Sequence, residues 1–244
     1  MKTANHHRGL QRASRRLFLR NTLSIGALSL LTGCNLEDDD AVDHILSAMS
    51  RWNDKVQAAL FSPTRLAPTY SAADITDPFP FNAYYPLNEV RPIEGNAWRL
   101  DVSGLVSERR PWTLHELAAL PQTSQITRHI CIEGWSAIGK WGGVPFHDFL
   151  ARIGADKRAR YVSFRCADDY RSSIDMATAL HPQTLLALTF RDEPLPPIYG
   201  FPAKLRVPTK LGFKNPKHIV AIEVTNVYPG GFWEDYGYNW FSGS

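Results

Sequence analysis

Five short stretches of this chain alternate apolar and polar residues, and each is stopped within ten residues by a glycine, a proline or a charged cluster. They cover residues 98–103, 125–133, 161–166, 203–207 and 218–227. A period of two marks half-buried strands, because successive side chains leave a strand on opposite faces. Strands this short, spaced by turns in a chain of 244 residues with 17 prolines, favour a compact α+β domain that is mainly β. Within 125–133, Ile126, Arg128, Ile130 and Ile132 share one face, and Thr127, His129, Cys131 and Glu133 the other. Two brief helices fit between the strands. Thr113-Leu114-His115-Glu116 is a capping box that opens one, and Pro121 stops it. Residues 145–154 place Phe146, Phe149, Leu150 and Ile153 on an inward face, with a glycine at the end.

The N-terminus has a different composition. Ser14-Arg15-Arg16-Leu17-Phe18-Leu19-Arg20 sets an arginine pair ahead of an apolar run over 23–31. A charged stretch followed by a short apolar one reads as a secretory leader, and the pair resembles the twin-arginine type. That route exports proteins already folded, often around a cofactor. The run is well short of the ~20 apolar residues of a membrane-spanning helix. Leu31-Thr32-Gly33-Cys34 resembles a lipobox, in which Cys34 is diacylated and anchors the body to a membrane. Ordinary cleavage nearby, leaving Cys34 a mobile thiol, is the other reading. Residues 1–33 hold six Lys or Arg and no acid, so the remaining 21 basic residues face 24 acidic ones, a net of −3. The formal +3 therefore belongs to the leader, and the case for a nucleic-acid partner goes with it.

Val42, Ile45, Met49, Trp52, Val56 and Leu60 recur three and four apart, which predicts a helix over 41–60 with Asp40 as its N-cap. Its apolar stripe is expected to dock on the core. Pro63, Pro68, Pro78 and Pro80 mark 61–80 as an extended connector. The expected organisation is a leader over 1–33, a spacer, helix and connector over 34–80, and the main domain over 81–244.

Several chemistries are excluded by missing residues. The sequence has no phosphate-cradling Gly-x-x-x-x-Gly-Lys and no dinucleotide fingerprint. His115-Glu116 lacks the second His of a zinc protease, and Gly134-Trp135-Ser136 lacks nucleophile-elbow spacing. No Cys-x-x-Cys is present. What remains is Cys131, running into Gly134-Trp135-Ser136 and Trp141-Gly142-Gly143. Two glycine-containing turns there are expected to let a bulky ligand approach the backbone, and a thiolate is a good anchor for a soft or high-valent metal. Composition alone favours a buried structural thiol, or a disulfide with Cys166 in an oxidising compartment.

The flanking residues reverse that preference. Arg128-His129-Ile130-Cys131-Ile132-Glu133-Gly134-Trp135-Ser136, followed by Trp141-Gly142-Gly143-Val144-Pro145-Phe146, resembles the active-site segment of the sulfite-oxidase-type molybdopterin oxidoreductases. His181-Pro182-Gln183-Thr184-Leu185-Leu186-Ala187, Pro194-Leu195-Pro196-Pro197, Lys210-Leu211-Gly212-Phe213-Lys214-Asn215-Pro216-Lys217 and Tyr236-Gly237-Tyr238 continue the likeness in order. The most similar branch is that of the periplasmic methionine-sulfoxide reductase catalytic subunits. The resemblance implies a molybdopterin-binding fold over about 82–244, without the C-terminal immunoglobulin-like dimerisation domain of the sulfite oxidases.

It also implies molybdenum with molybdopterin as cofactor and Cys131 as catalytic metal ligand. Asn82, Tyr85 and Pro86 fall where that branch contacts the pterin through an Asn and a Tyr-Glu pair, with Pro86 replacing the acid. Cys166 falls at a Thr of the branch, Tyr199 at an Asn, and Lys204 at an Arg that grips the cofactor; Lys is a point charge without the guanidinium fork. Asn215, Pro216 and Lys217 match the last pterin contact. Lys210, Lys214 and Lys217 together suggest neutralisation of the pterin phosphate, with a solvated basic turn as the alternative for the first two. The C-terminal aromatics Phe232, Trp233, Tyr236, Tyr238, Trp240 and Phe241 read as core and pocket wall.

The implied function is oxygen-atom transfer in the periplasm. The implied reaction is reduction of a small-molecule or protein-bound S-oxide or N-oxide. Electrons would come from a membrane b-type cytochrome or other redox partner, and the chain would be a monomeric catalytic subunit. Sulfite dehydrogenation on the same fold is the enzymatic alternative, weakened by Ile130 standing where the reductase branch has a basic residue. A binding protein that kept the fold and lost the metal is the non-enzymatic one.

Overall fold

The computed structural model describes residues 39–243, with side chains from residue 44. The leader over 1–33 and Cys34 lie outside the described residues. The chain divides after Met49 into two compact units. Helix α1 (Asp39–Leu60) runs across that division, and Asp40, expected as its cap, lies inside it. Within the second unit the stripe expected to dock on the core is largely uncovered: Trp52 is 65% exposed and Leu60 80%.

The second unit holds two sheets. The first takes the order β2 (Trp112–Thr113), β1 (Arg99–Gly104), β10 (Ile219–Thr225), β5 (Tyr161–Cys166) and β6 (Arg171–Asp175), with β1 and β10 parallel and the other pairs antiparallel. The second sheet takes the order β3 (Thr123–Ile130), β4 (Ser136–Pro145), β7 (Leu185–Phe190) and β8 (Glu193–Pro194), and β9 (Lys204–Arg206) also pairs with β7. The architecture is α+β and mainly β, as the alternating runs predict.

Local signals hold where they are short-range. Helix α2 (Leu114–Ala118) opens on the expected box: Glu116 N–H donates to Thr113 Oγ1 at 3.1 Å, and Thr113 N–H donates to Glu116 Oε2 at 2.8 Å. Helix α3 (Phe146–Arg152) turns Phe146, Phe149 and Leu150 fully inward, followed by Ile153. These pack with Leu100, Trp112, Val162, Phe164 and Ile222 in the main core. A smaller cluster gathers Phe79, Trp141, Phe190 and Leu195. The last helix, α4 (Met176–Ala179), is capped by Asp175, which accepts from Thr178 N–H at 2.8 Å.

Two strands escape the periodicity. In β7 five of six residues are buried, so both faces are covered and no alternation survives. Strand β4 includes Trp141-Gly142-Gly143, which the sequence places in a ligand-approach turn. The structure corrects this. A Cβ on Gly143 would lie 2.1 Å from Leu186 O, so glycine there lets β4 and β7 approach each other.

Candidate active site

Strands β3 and β4 pair in antiparallel register down to Ile130 and Ser136, leaving residues 131–135 as the hairpin loop. Thr127 and His129 are buried on one face of β3 as expected, but the strand ends at Ile130, so Cys131 and Glu133 are placed by the turn instead. Cys131 N–H donates to Trp135 O at 2.9 Å, and Gly134 N–H donates to Cys131 O at 3.2 Å. Gly134 takes φ +91° with nothing within 4 Å of a built Cβ; this is the one turn glycine the loop requires. The Cys131 thiol lies 3.6 Å from Glu133 Oε2, which also accepts from Trp135 Nε1 at 2.9 Å. Burial pushes the thiol above its ordinary pKa, and the Glu133 charge adds to that.

Cys131 opens into a cleft of about 330 Å³. Asn82, Asn215, Pro216 and Lys217 line it with Cys131. Tyr84, Asp168, Tyr170, Phe213, Trp233 and Tyr238 complete much of the wall. Trp233 and Tyr238 were legible as part of an aromatic C-terminal run. Tyr84, Asp168 and Tyr170 carry no local signal, because separate loops bring them in.

Tyr85, Pro86, Cys166, Tyr199 and Lys204 are not among the cleft-lining residues. Tyr85 donates its hydroxyl to Asp168 Oδ2 at 3.0 Å and lines a neighbouring cavity of about 700 Å³. Pro86 precedes a short 3-10 turn over Leu87–Glu89. Cys166 ends β5 inside the main core, and burial pushes its thiol well up. Both cysteines are free thiols. Tyr199 donates to Phe79 O at 2.6 Å and packs on Phe190 at 4.7 Å between ring centres. Lys204 is 1% exposed, its Nζ 4.8 Å from the centre of the Trp141 ring.

A buried cationic group accompanies the cleft. Lys217 Nζ donates to Asn82 O at 2.8 Å and to Ile198 O at 3.3 Å. Arg206 donates to Asn215 Oδ1 at 2.9 Å and to Arg128 O at 2.5 Å. Among the described residues Lys204, Arg206 and Lys217 make no ion pair with a carboxylate within 4.0 Å. Burial holds the Lys217 pKa down to about 8 and drives that of Lys204 well below its ordinary value. His129 is fully buried, with Nε2 3.2 Å from Asn82 Nδ2. Burial, then the charges of Lys204, Arg206 and Lys217, push its pKa well down, so the ring is neutral. His129 Nδ1 and Arg206 Nε have no partner. Buried cations without carboxylates, next to unpartnered nitrogen atoms, suit an anionic ligand.

Lys210 and Lys214 are neither solvated nor cleft-lining, which corrects both sequence readings of them. Lys210 Nζ donates to Phe241 O at 2.8 Å and sits 3.6 Å from Asp175. Lys214 pairs with Glu234. Both fasten the C-terminal segment. Among the described residues no group of three or more His, Cys, Asp and Glu could hold a metal. A metal at Cys131 therefore needs ligands brought with it, and a dithiolene cofactor with a phosphate matches this donor set and charge.

The profile of the oxidoreductase molybdopterin-binding domain matches residues 87–233. A protein of Azospira oryzae, named provisionally as the protein-methionine-sulfoxide reductase subunit YedZ1, is 62% identical over 231 residues, 95% of this chain and 88% of that protein. The protein-methionine-sulfoxide reductase catalytic subunit MsrP of Xanthomonas campestris is 33% identical over 166 residues, 62% of this chain and 52% of that protein. The match thus spans about half the length of MsrP. The sulfane dehydrogenase SoxCD from Paracoccus pantotrophus superposes with a TM-score of 0.53 at 20% identity, over 57% of this chain and 40% of that one; the likeness concerns the fold. Matched by the profile over more than half its length, and by a relative along nearly all of it, the chain belongs to the sulfite-oxidase-type molybdopterin-binding oxidoreductases, enzymes whose cofactor is molybdenum held by molybdopterin.

Proposed function

We propose that this oxidoreductase reduces S-oxides, with methionine sulfoxide in an oxidised protein as its substrate class, and that Cys131 is the chain's ligand to molybdenum. In the balanced reaction a sulfoxide takes up two protons and two electrons; its sulfur–oxygen bond breaks, and a thioether and one water leave. The observation that carries this reading is the Cys131 thiol opening into an aromatic cleft beside buried Lys and Arg side chains that make no ion pair with a carboxylate among the described residues. When bound, the cofactor supplies the two-electron exchange and accepts the oxygen atom.

The chain's own residues do the rest. Burial, then the Glu133 charge, favour the protonated thiol at Cys131, so ligation of a metal there would release a proton. Asn82, Asn215, Pro216 and Lys217 would hold the pterin, and Lys204 and Arg206 would supply buried positive charge toward its phosphate. Tyr85 acts through Asp168 and Tyr199 through Phe79, each as a packing support. Cys166 is part of the main core, and Pro86 is an exposed residue before a turn. Tyr84, Trp233 and Tyr238 offer ring faces and edges to a methyl-sulfur group, a favourable contact for sulfur. The cleft-lining set contains no arginine and carries Glu133 and Asp168. Sulfite therefore finds no guanidinium fork there, and the one Lys or Arg in that set, Lys217, is the group assigned to the pterin.

The proposal extends to place and partner. The arginine pair exports a folded, loaded catalytic domain over 81–244 to the periplasm, Cys34 anchors it to a membrane surface, and a membrane b-type cytochrome supplies electrons. The name catalytic subunit, carried by the MsrP relative, supports a separate electron-supplying subunit.

Purified exported protein tests this. The expected result is about one molybdenum per chain, a releasable fluorescent pterin, and oxidation of reduced viologen by methionine sulfoxide, free and in oxidised protein. Absence of the metal from a host that makes the cofactor, or turnover of sulfite alone, overturns it.

A further inference from the structure

A second cavity, of about 680 Å³, lies on the other side of the Cys131 segment. The two cavities share a wall. Arg128 and Ile130 line the second, whereas Cys131, Ile132 and Glu133 line the cleft. A second crossing repeats this: Pro208 and Thr209 face the second cavity, Gly212 and Phe213 the cleft. Ile130 is bonded directly to Cys131, so a group seated against Ile130 is a few covalent bonds from the Cys131 sulfur.

The cavities differ in charge. The second is lined by Arg65 and Arg128 and by no carboxylate, while the cleft carries two carboxylates, Glu133 and Asp168, against one cation, Lys217. Both arginines are exposed and make no ion pair among the described residues. The Arg128 guanidinium lies 5.2 Å from the centre of the Tyr70 ring. Leu60 and Leu66, 80% and 58% exposed, add uncovered apolar surface to the lining. Arginine and an aromatic ring around a hollow are residues enriched at protein docking sites, and the leucines add apolar area that a partner can cover.

We propose that this cavity is where the electron donor docks: a redox protein that presents a planar conjugated redox group ringed by acidic substituents. The proposal rests on the oxygen-atom-transfer reading above. Electron tunnelling falls off exponentially with distance, so entry through Ile130 delivers charge beside the sulfur while the cleft stays open to substrate. Each turnover takes two electrons from the donor, two successive oxidations for a one-electron group, and the two protons and the oxygen leave as water. An acidic donor is attracted to the arginine face and repelled by the carboxylates of the cleft, which separates the two routes.

The full exported chain tests this, with flavin mononucleotide as a soluble planar, acid-bearing probe and methyl viologen as a cationic one. The variant is Arg65→Glu/Arg128→Glu, two exposed positions. The expected result is saturable quenching of flavin fluorescence by the parent chain, weakened at least ten-fold in the variant. Oxidation of reduced flavin mononucleotide by methionine sulfoxide falls by a similar factor, and oxidation of reduced methyl viologen is unchanged. Equal flavin binding and oxidation by both chains overturns the proposal, as does an equal loss with both donors. Loss of binding to phosphatidylglycerol vesicles without loss of flavin binding also overturns it, by marking a membrane-facing surface. A parent chain without viologen turnover instead sinks the underlying functional reading, and is told apart by that donor alone.

Discussion

Cys131 shows how one residue depends on its loop. Its neighbours at 130 and 135 are strand-paired or hydrogen-bonded, while among the described residues its sulfur has only Glu133 as a polar partner. Cys131→Ser therefore keeps the hairpin and removes the soft ligand. The expected outcome is an unchanged circular dichroism spectrum with bound molybdenum and sulfoxide turnover reduced by roughly 100-fold or more. The buried lysines make a second prediction. Burial holds Lys210 to about 7 and Lys217 to about 8, against partial compensation from Asp175 and Asp168. In the unfolded chain both keep their protons to an ordinary pKa of 10.5. Above pH 7 the unfolded state therefore binds more protons than the folded one, and stability rises with pH. From about pH 9 the two buried thiols oppose this, because they ionise in the unfolded chain and stay protonated in the fold. Melting curves of cofactor-free protein should climb from pH 7 to 9, and Lys210→Met should flatten the climb.

At the scale of elements, β3 and β4 form the frame of the site and their glycines have unlike roles. A Cβ on Gly143 meets backbone atoms of Leu186 and Ala187 at 2.1 and 2.8 Å, and a central strand cannot move aside cheaply. Gly143→Ala should cost about 3 kcal/mol or more in denaturant unfolding. Gly134→Ala meets open space and bears only the left-handed backbone, a cost of about 1 kcal/mol. Equal losses at the two positions would contradict the strand-packing role. The helices α2 and α3 and the strand β5 were legible because capping and alternation act within a few residues. Strands β4 and β7 were not: one is rich in glycine, the other is covered on both faces.

At the scale of the whole molecule, the cleft depends on its ligand for charge balance. Lys204, Arg206 and Lys217 are buried and make no ion pair among the described residues, and a group that binds the folded state alone stabilises it by mass action. Protein from a host blocked in molybdopterin synthesis should fold, yet melt roughly 5 °C or more below the loaded form; equal melting temperatures would remove the anion-cradle role. The order of residues by itself determined the mainly β character, the capped helix α2 and the amphipathic helix α3, the single cysteine of interest and the family, because motif spacing and periodicity are local or linear properties. Only the tertiary structure decided that Asn82, Asn215 and Lys217 meet Cys131 while Tyr199 and Lys204 turn to the Trp141 cluster. It also decided that Lys210 and Lys214 are internal fasteners, and that Arg128 and Ile130 face a cavity of their own. A cleft wall joins side chains from distant loops, and which loops meet is settled by long-range packing that no window of sequence contains.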